Sequence, residues 1–567
     1  MGVASAAIFI PGQESRLKAL LQPLPQKTLP QAMQFDLIVI GGGINGAGIA
    51  RDAALRGLRT CLVEQADLCS STTRWSSRLI HGGLRYLEFG ELGLVHESLQ
   101  ERANLLRNAG HLVRPLPLLI PVYAHSRRGM NTIDFGLWIY DLLSIGGLLP
   151  GHQRLSRDTA LTKVPALNGE GLDGGILYHD AQVTFVERLV VENALAAHAA
   201  GAAIRTYTTV ERIVLDGNQV QGVVVRDSRS GRQESLTAPA VVNAAGPWVD
   251  RVLAGADCPM PRFMGPTKGT HIVVRRFAGM SDVACYAEAR SDGRPFFILP
   301  WNGLVLIGTT DTRCDADPAS VHAEEGEIAY LLAEAAHVFP GAGLRRDSVL
   351  YAYSGLRPLP RQGLRETAAI TRRHQIRHHG RTARGLYSII GGKITTYRHL
   401  AEEAVDQVVQ RLAMNTARCT TAELALPGGG GDREAILAGL ARVSGLGAAS
   451  QLHLVEVYGA RAPAVAALAI GEPDLAAMIC TCSGAIAAEI VFAVRQEFAL
   501  GMADILLRRC MAGLGPDLGR GALQSALSVA AKYLHWDPAR LKAEKAAYEA
   551  EICLLESRSP PNPVSAA

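Results

Sequence analysis

The sequence has no long hydrophobic run and no large excess of charge of one sign. The best candidate for a membrane span, residues 135–149, contains Asp141 and falls short of the roughly 20 residues that a helix needs to cross a bilayer. We therefore expect no transmembrane helix. The net charge of +4, without a dense stripe of lysine and arginine interleaved with aromatic residues, argues against nucleic acid as a partner.

Clustered cysteines are also lacking, because the ten cysteines are scattered along the chain. The closest pair, Cys480 and Cys482, has a C-x-C spacing without a second cluster of ligands. This distribution predicts no metal site and no disulfide framework, and it is typical of a protein of the reducing cytoplasm.

The N-terminal residues lack a basic start followed by an apolar core, so we expect no secretory signal there. Residues 1–34 are expected to form a loosely ordered extension. Met33 stands two residues before the first predicted strand, so a mistaken upstream start is one alternative. A weak targeting role is another.

The most informative stretch is residues 35–64, FDLIVIGGGINGAGIARDAALRGLRTCLVE. It predicts a buried strand, a G-x-G-x-x-G turn at Gly41, Gly43 and Gly46, a helix, and a second strand that ends at Glu64. The glycines allow a backbone to approach a pyrophosphate, the helix N-terminus faces that charge, and the glutamate can accept from a ribose hydroxyl. We interpret the stretch as an adenine-dinucleotide site rather than an ordinary tight turn.

A second match to G-x-G-x-x-G, at residues 169–174, lacks the preceding strand and the following helix, so we expect no second dinucleotide such as a nicotinamide cofactor. Elsewhere the chain predicts helices at residues 94–107, 186–200 and 396–412, β-rich segments at 203–227 and 270–311, an irregular segment at 111–178 punctuated by Pro and Gly, and only helices after the PGGGG run at 427–431.

Eight motifs follow one another along the chain. They are residues 41–50 (GGGINGAGIA), 70–73 with 78–88 (SSTT and RLIHGGLRYLE), 243–248 (NAAGPW), 268–271 (KGTH), 300–301 (PW), 308–311 (GTTD), 354–359 (SGLRPL) and 391–398 (GGKITTYR). In this order they resemble the FAD-dependent glycerol-3-phosphate dehydrogenase family of the aerobic, quinone-linked type. Residues 488–490 and 504–509 resemble the C-terminal domain of that family.

The pattern and the resemblance together predict an α/β fold: a Rossmann-like FAD-binding domain, an antiparallel-sheet substrate domain and an all-helical C-terminal domain. The length of 567 residues has room for this organisation. We expect FAD-binding parts at about 35–110, 180–260 and 350–415, substrate-domain parts at about 111–179 and 261–349, a linker at 416–431, a helical domain at 432–555 and a tail at 556–567.

The resemblance implies oxidation of sn-glycerol 3-phosphate to dihydroxyacetone phosphate by hydride transfer to FAD, with electrons passed to a quinone. It also implies a cytoplasmic enzyme bound peripherally to the inner face of the cell membrane, for which a homodimer is a candidate assembly. Residues 135–149, with Arg127 and Arg128 upstream, could lie on an anionic membrane surface; we prefer to interpret the segment as a core helix.

Three alternatives stay open. A different polyol phosphate, such as an erythritol phosphate, could be the substrate, because the chain has YHD at 178–180 and then TFVERL at 184–189 where the family usually has a further aspartate. Oxygen could replace the quinone, as in a glycerophosphate oxidase. A flavin-binding protein without catalysis is the third, against which a cluster of cations for a phosphate argues.

Substrate phosphate calls for fixed cations, and Arg85, Arg357 and Lys393 lie within the motifs. Tyr86 is a candidate hydroxyl donor to the same phosphate, or a packing residue. The proton acceptor should titrate near neutrality, which favours histidine. We predict a catalytic set of His81, His271 and Arg357, and we leave the base open between the two histidines.

His81 lies four residues before Arg85, so in a helical turn the two would face one site. The turn at Gly392 opens a helix near Thr395 and Thr396, whose N-terminus could stabilise the reduced flavin or whose threonines could simply cap the helix. The full predicted set of cofactor residues is Gly41, Gly43, Gly46, Glu64, Ser71, Thr72, Gly246, Gly392, Thr395 and Thr396.

Overall fold

The computed structural model describes residues 34–144, 146–361 and 373–556. The expected N-terminal extension, apart from its last residue, and the tail beyond 556 lie outside these ranges. Within them are nineteen strands: β1 (Leu37–Ile40), β2 (Thr60–Val63), β3 (Leu79–Ile80), β4 (Val113–Tyr123), β5 (Gln153–Ser156), β6 (Leu172–Val183), β7 (Ala203–Arg205), β8 (Thr208–Asp216), β9 (Gln219–Asp227), β10 (Gln233–Thr237), β11 (Ala240–Asn243), β12 (Thr267–Arg275), β13 (Ala284–Glu288), β14 (Pro295–Trp301), β15 (Leu304–Gly308), β16 (Thr312–Arg313), β17 (Val349–Arg357), β18 (Gln375–His378) and β19 (Leu386–Ile390).

The same ranges contain sixteen α-helices. These are α1 (Ile44–Leu55), α2 (Leu92–Asn108), α3 (Met130–Leu143), α4 (Arg157–Lys163), α5 (Val186–Ala199), α6 (Val249–Ala254), α7 (Glu325–Val338), α8 (Tyr397–Leu412), α9 (Arg433–Val443), α10 (Ala448–Tyr458), α11 (Ala462–Ala467), α12 (Pro473–Ala476), α13 (Ala488–Gln496), α14 (Met502–Arg508), α15 (Arg520–Leu534) and α16 (Pro538–Cys553).

A six-stranded sheet in the order β18-β19-β11-β1-β2-β7 forms the first layer, parallel except for β18. All four residues of β1 and of β2 are buried, as expected for central strands covered on both faces. α1 packs on this sheet with α5 and α8 beside it. The carboxyl ends of β1 and β11 therefore bring the first glycine turn next to residues 243–248.

A ten-stranded, mostly antiparallel sheet forms the second layer, in the order β16-β12-β15-β14-β13-β4-β6-β3, with β17 paired to β12 and β5 to β6. The pairing of β12 with β17 places His271 opposite Tyr353 and Thr267 opposite Arg357. The boundary that we expected at residue 350 falls at the start of β17, which belongs to this second sheet. The SGLRPL motif at residues 354–359, which we assigned from sequence to the FAD-binding part, thus begins on β17 and forms a wall between the two layers.

The segment 111–178 is not irregular, and that expectation was wrong. It contains β4 and most of β6, which pair over their full length, and α3 between them. Pro115, Pro117 and Pro121 occupy odd-numbered positions of β4. Because alternate residues of a strand direct their N–H groups to the same side, the three missing donors fall on one edge and leave the pairing with β6 intact.

β8, β9 and β10 form a separate three-stranded antiparallel sheet, and helices α9 to α16 form the C-terminal domain. The glycine run at 427–431, which lies between α8 and α9, is packed against neighbouring elements. The Gly428 N–H donates to Glu192 at 2.6 Å, and a Cβ on Gly429 would lie 2.0 Å from the Asn108 carbonyl oxygen. The segment expected as a linker is therefore part of the interface between the domains.

Buried ion pairs join the C-terminal domain to the layer built on the parallel sheet. Arg508 and Arg509 both donate to Asp67, each at 2.7 Å, and Arg188 of α5 pairs with Glu497 at 2.5 Å. Removal of one partner of such a buried pair lowers the stability of the folded protein, because it leaves the other charge buried without a counter-ion. These contacts therefore tie the helical domain to α5 and to the segment that follows β2.

Candidate active site

A cavity of about 300 Å³ lies between the two sheets. Its wall combines the first glycine turn, the Ser/Thr-rich segment 70–77, the ends of β11 and β12, the end of β17 and the turn after β19. It brings together most of the residues predicted from sequence: Gly41, Gly43, Glu64, Ser71, Thr72, His81, Tyr86, Gly246, His271, Arg357, Gly392, Lys393 and Thr395. Gly46, Arg85 and Thr396 are not part of its wall.

The glycine turn is shaped for close backbone approach. Gly41 has φ +109°, and a Cβ on Gly46 would lie 1.8 Å from the Gly41 carbonyl oxygen, so Gly46 allows the turn itself to close. Asn45, in the first turn of α1, has a buried Oδ1 without a hydrogen-bond partner among the described residues, and it faces the cavity. The backbone N–H groups at this helix N-terminus fit a pyrophosphate, whereas the unpaired Asn45 oxygen, an acceptor, fits a hydroxyl group of the same ligand.

Glu64 holds the glycine turn from the end of β2. Its carboxylate accepts from the Gly42 N–H at 2.6 Å and from the Ala66 N–H at 2.9 Å. Burial raises the pKa of Glu64, against the lowering effect of these two bonds. A carboxylate has further lone pairs, so an additional bond to a ribose hydroxyl is compatible with this geometry.

His271 lies on β12 in the wall of the cavity. Its Nε2 is 2.8 Å from the Ser77 hydroxyl, and its ring stacks on Tyr353 with centroids 5.1 Å apart. Burial, followed by the charges of Arg357 and Arg78, lowers the pKa of His271 to about 3. The imidazole is therefore neutral at ordinary pH. Gly308 makes room for the ring, since a Cβ there would lie 2.3 Å from His271 Cδ2.

Arg357 is the last residue of β17, and its side chain extends toward β12. It donates to Asp311 Oδ1 and to Thr309 Oγ1, both at 2.9 Å. A Cβ on Gly269 would lie 2.2 Å from its terminal nitrogen, so the glycines of the KGTH and GTTD motifs leave space for Arg357 and His271. These two hydrogen bonds fix the orientation of the guanidinium.

Lys393 and Tyr86 form a second cationic feature of the wall. The Lys393 Nζ lies 3.8 Å from the centroid of the Tyr86 ring and donates to Ser98 Oγ at 3.3 Å. His81 is held nearby, because its backbone N–H donates to Thr395 Oγ1 at 3.2 Å. Thr396 stands at the N-cap position of α8 and makes no side-chain capping bond, so the capping alternative does not hold for Thr396.

The structure separates Arg85 from this set. Arg85 lines a second cavity of about 450 Å³, together with Arg127 and Arg128. Residues 84–89 form a 3₁₀ helix preceded by Gly83 at φ +81°, and His81 lies before that helix. With three residues per turn, positions four apart do not face the same side, which is why the α-helical argument for His81 and Arg85 does not hold.

Sequence reasoning missed Arg78 as a site residue. Its buried guanidinium lines the cavity, stands 4.5 Å from the Trp301 ring centroid and donates twice to Glu187. Burial acts to lower the pKa of Arg78, but Glu187 outweighs this and the pKa is raised. Because Arg78 lies in the RLIHGG motif, the sequence could have indicated it as a site residue. Nothing in the sequence identified Glu187 as its partner.

The segment that departs from the family pattern supports the same region. Asp180 of the YHD motif accepts from the Tyr140 hydroxyl at 2.8 Å, and that hydroxyl accepts from the Gly82 N–H at 2.8 Å. Glu187, on the helix that follows, holds Arg78. Asp180 and Glu187 thus both fix the segment 78–83, which carries His81.

Residues 36–398 match the family model described as FAD dependent oxidoreductase, and residues 419–541 match the C-terminal domain of alpha-glycerophosphate oxidase. A glycerol-3-phosphate dehydrogenase of Synechocystis sp. is 42% identical over 519 residues, which are 89% of this chain and 94% of that protein. One from Mycobacterium leprae is 36% identical over 540 residues, 94% of this chain and 91% of that protein. The chain belongs to the FAD-dependent glycerol-3-phosphate dehydrogenase family.

Among solved structures, the glycerol-3-phosphate dehydrogenase from Bacillus halodurans complexed with FAD matches with a TM-score of 0.76 and 29% identity, covering 96% of this chain and 97% of that one. The predicted family, the α/β fold with a helical C-terminal domain, the enzyme class and the FAD requirement are thereby confirmed. The glycine turn fits the pyrophosphate of this cofactor, and the unpaired Asn45 oxygen fits one of its hydroxyl groups as an acceptor.

Proposed function

We propose that this chain oxidises sn-glycerol 3-phosphate to dihydroxyacetone phosphate and passes the electrons to a quinone at a membrane surface. The observation that carries the proposal is that the wall of one cavity contains the dinucleotide turn, three cationic side chains and two histidines. FAD, when bound, supplies the hydride acceptor. The chain must bind the phosphate, orient the secondary alcohol and take up the hydroxyl proton.

Arg357 and Lys393 are assigned to the substrate phosphate. Arg357 offers a planar fork held by Asp311 and Thr309, and Lys393 adds a point charge beside Tyr86. The proton acceptor is assigned to His81, because the low pKa of His271 disfavours protonation of that ring. His271, neutral and hydrogen-bonded to Ser77, is assigned a positioning role against the substrate hydroxyl.

Membrane association is assigned to one face of α3. Phe135, Trp138 and Leu142 lie three and four residues apart on this helix and are 68%, 67% and 58% exposed. Further exposed apolar side chains lie on the neighbouring 3₁₀ helix, at the start of α2 and after α3: Phe89, Leu92 and Leu148. The core-helix interpretation of this segment was therefore wrong.

An exposed stripe of this kind on a helix is suited to lie in the interface of a bilayer, with an indole at the headgroup level. No helix in residues 34–144, 146–361 or 373–556 is long and apolar enough to cross a membrane. We therefore propose peripheral attachment at the inner face of the cell membrane, where a lipophilic quinone is available.

A glycerophosphate oxidase is the second candidate, and the match of residues 419–541 to the C-terminal domain of alpha-glycerophosphate oxidase favours it. It would use the same substrate and transfer the electrons to oxygen, with release of hydrogen peroxide.

One experiment separates these functions. Anaerobic addition of glycerol 3-phosphate should bleach the flavin absorbance of the purified holoenzyme, while free glycerol and erythritol phosphate should not. Reoxidation by a soluble quinone should be much faster than reoxidation by air, with little peroxide. Faster bleaching by erythritol phosphate than by glycerol 3-phosphate would overturn the proposed substrate. Release of one peroxide per substrate oxidised in air would favour the oxidase.

A further inference from the structure

Cys480 and Cys482 lie in a tight loop between α12 and α13. The Gly484 N–H donates to the Cys480 carbonyl at 2.9 Å, and the Ile479 N–H donates to the Ala485 carbonyl at 2.8 Å. The closed loop turns both side chains to one side, and their two Sγ atoms are 3.0 Å apart. Neither cysteine lines the active-site cavity.

The two thiols are chemically unequal. Cys482 is exposed, whereas Cys480 is only 8% exposed. A hydrogen bond from the Cys482 thiol lowers the pKa of Cys480, although burial acts to raise it. The Ser483 hydroxyl and the backbone N–H groups of Ser483 and Cys482 lower this pKa further. The arrangement pairs an accessible thiol with a neighbouring sulfur that is stabilised as a thiolate, which is the form that reacts.

The other cysteines do not share this arrangement. All ten lie within the described ranges, and no other pair has two sulfurs in contact. Cys61, Cys69, Cys285 and Cys510 are buried, and burial raises the pKa of each thiol. The lowered pKa of Cys480 therefore concentrates thiolate character at the C-x-C loop, where the pKa of Cys482 is raised by its hydrogen bond to Cys480.

We propose that Cys480 and Cys482 are a reversible dithiol–disulfide site that exchanges with small-molecule disulfides such as oxidised glutathione. Cys482 Sγ attacks one sulfur of the small disulfide as its proton passes to the neighbouring Cys480 thiolate, so a mixed S–S bond forms and one glutathione leaves as its thiolate. That glutathione thiolate takes the proton from Cys480, whose thiolate then attacks Cys482 Sγ, forms the internal disulfide and releases the second glutathione as a thiolate. The cysteine pair, one thiol and one thiolate, loses two electrons and one proton, and one oxidised glutathione becomes two reduced molecules.

The proposal is independent of the catalytic assignment, so its test needs no turnover. The FAD-loaded enzyme is equilibrated in glutathione buffers of increasing oxidised fraction, quenched in acid, blocked with N-ethylmaleimide and digested with trypsin. The peptide spanning residues 462–495 contains Cys480 and Cys482 and no other cysteine. It should lose both maleimide labels together and gain an internal disulfide, and dithiothreitol should restore both labels.

One variant makes the mechanism visible. Cys480→Ser should accumulate glutathione on Cys482, because the resolving thiolate is gone, whereas the unmodified enzyme should show this adduct only transiently. Cys314, partly exposed and without a sulfur neighbour among the described residues, serves as the internal control and should show only slow glutathione addition. Retention of both labels at 480 and 482 in pure oxidised glutathione, or a stable adduct on Cys482 in the unmodified enzyme, would overturn the proposal.

Discussion

The guanidinium of Arg78 and the carboxylate of Glu187 form two hydrogen bonds of 2.8 and 2.7 Å, and both side chains are almost fully buried. The pair joins the segment that carries His81 to helix α5 of the FAD-binding part. A buried charge that loses its partner is left without water or counter-ion, so this contact is a sensitive point of the site.

Glu187→Gln should destabilise the protein by about 3 kcal/mol or more, because it leaves the Arg78 charge buried without an anion. Weaker FAD retention should accompany the loss, since Arg78 lines the same cavity. Urea unfolding and the flavin content of the purified protein measure the two effects. Glu423→Gln, which removes a carboxylate from the exposed pair with Arg418, is the matched control and should change neither quantity appreciably.

Arg357→Ala should lower kcat/KM for glycerol 3-phosphate by roughly 30- to 1000-fold, as expected for loss of a charge-assisted contact of about 2–4 kcal/mol. Arg357→Lys should recover part of the loss, because an ammonium has no bidentate fork. The FAD spectrum should stay nearly unchanged, and the preference for glycerol 3-phosphate over glycerol should largely disappear. Arg345→Ala, at an exposed arginine, is the control; unchanged preference in Arg357→Ala would place Arg357 outside the phosphate site.

Gly43→Val should fold but be purified colourless. The nearest atom to a Cβ at this position is Thr73 Oγ1 at 3.3 Å, so the chain can accommodate the change, whereas the pyrophosphate cannot approach the backbone. Gly46→Ala should fail to fold, because its Cβ would meet the Gly41 carbonyl at 1.8 Å. Gly439→Ala on α9, with no atom within 4 Å, should remain yellow and stable. A fully yellow Gly43→Val would contradict the cofactor assignment.

The lowered pKa of His271, about 3 against an ordinary value of 6.5, predicts a pH-dependent loss of stability. Between these values the unfolded chain binds a proton that the folded protein does not, so this contribution to stability is present above pH 6.5 and is lost as the pH falls toward 3. From pH 7 to pH 5 the unmodified protein should lose up to about 2 kcal/mol more than His271→Gln does. Urea titrations measure this difference, and His322→Gln at an exposed position should show none.

Replacement of Phe135, Trp138 and Leu142 by serine should abolish co-flotation with anionic phospholipid vesicles. The three side chains form the exposed apolar face of α3, and activity with a water-soluble electron acceptor should be retained because none of them lines the active-site cavity. High salt, high pH or mild detergent should release the unmodified protein from membranes. A control variant should keep vesicle binding, with glutamine at three exposed apolar positions elsewhere: Leu424, Val443 and Ile470. Full vesicle binding by the serine variant would refute the assigned face.

The dinucleotide site could be predicted from sequence because its parts are contiguous. The strand, the turn, the helix and Glu64 occupy residues 35–64, and each part follows from local chemistry: apolar residues for a central strand, glycines for a tight turn, an acidic residue at the next strand end. Motif order was equally informative about the family. The glycines of KGTH and GTTD were recognised as motif residues, but only the pairing of β12 with β15 and β17 explains them, as space for His271 and Arg357.

Local sequence thus determined the family, the cofactor and the main elements, since these depend on short-range patterns. Contacts between distant residues decided the rest. Arg78 meets Glu187 across 109 positions, Arg85 lies on the 3₁₀ helix after the left-handed Gly83 and lines another cavity, and α3 exposes an apolar face that its sequence could equally have buried. Such outcomes depend on which surfaces the two sheets and the C-terminal helices cover, and this is settled only when the whole chain packs.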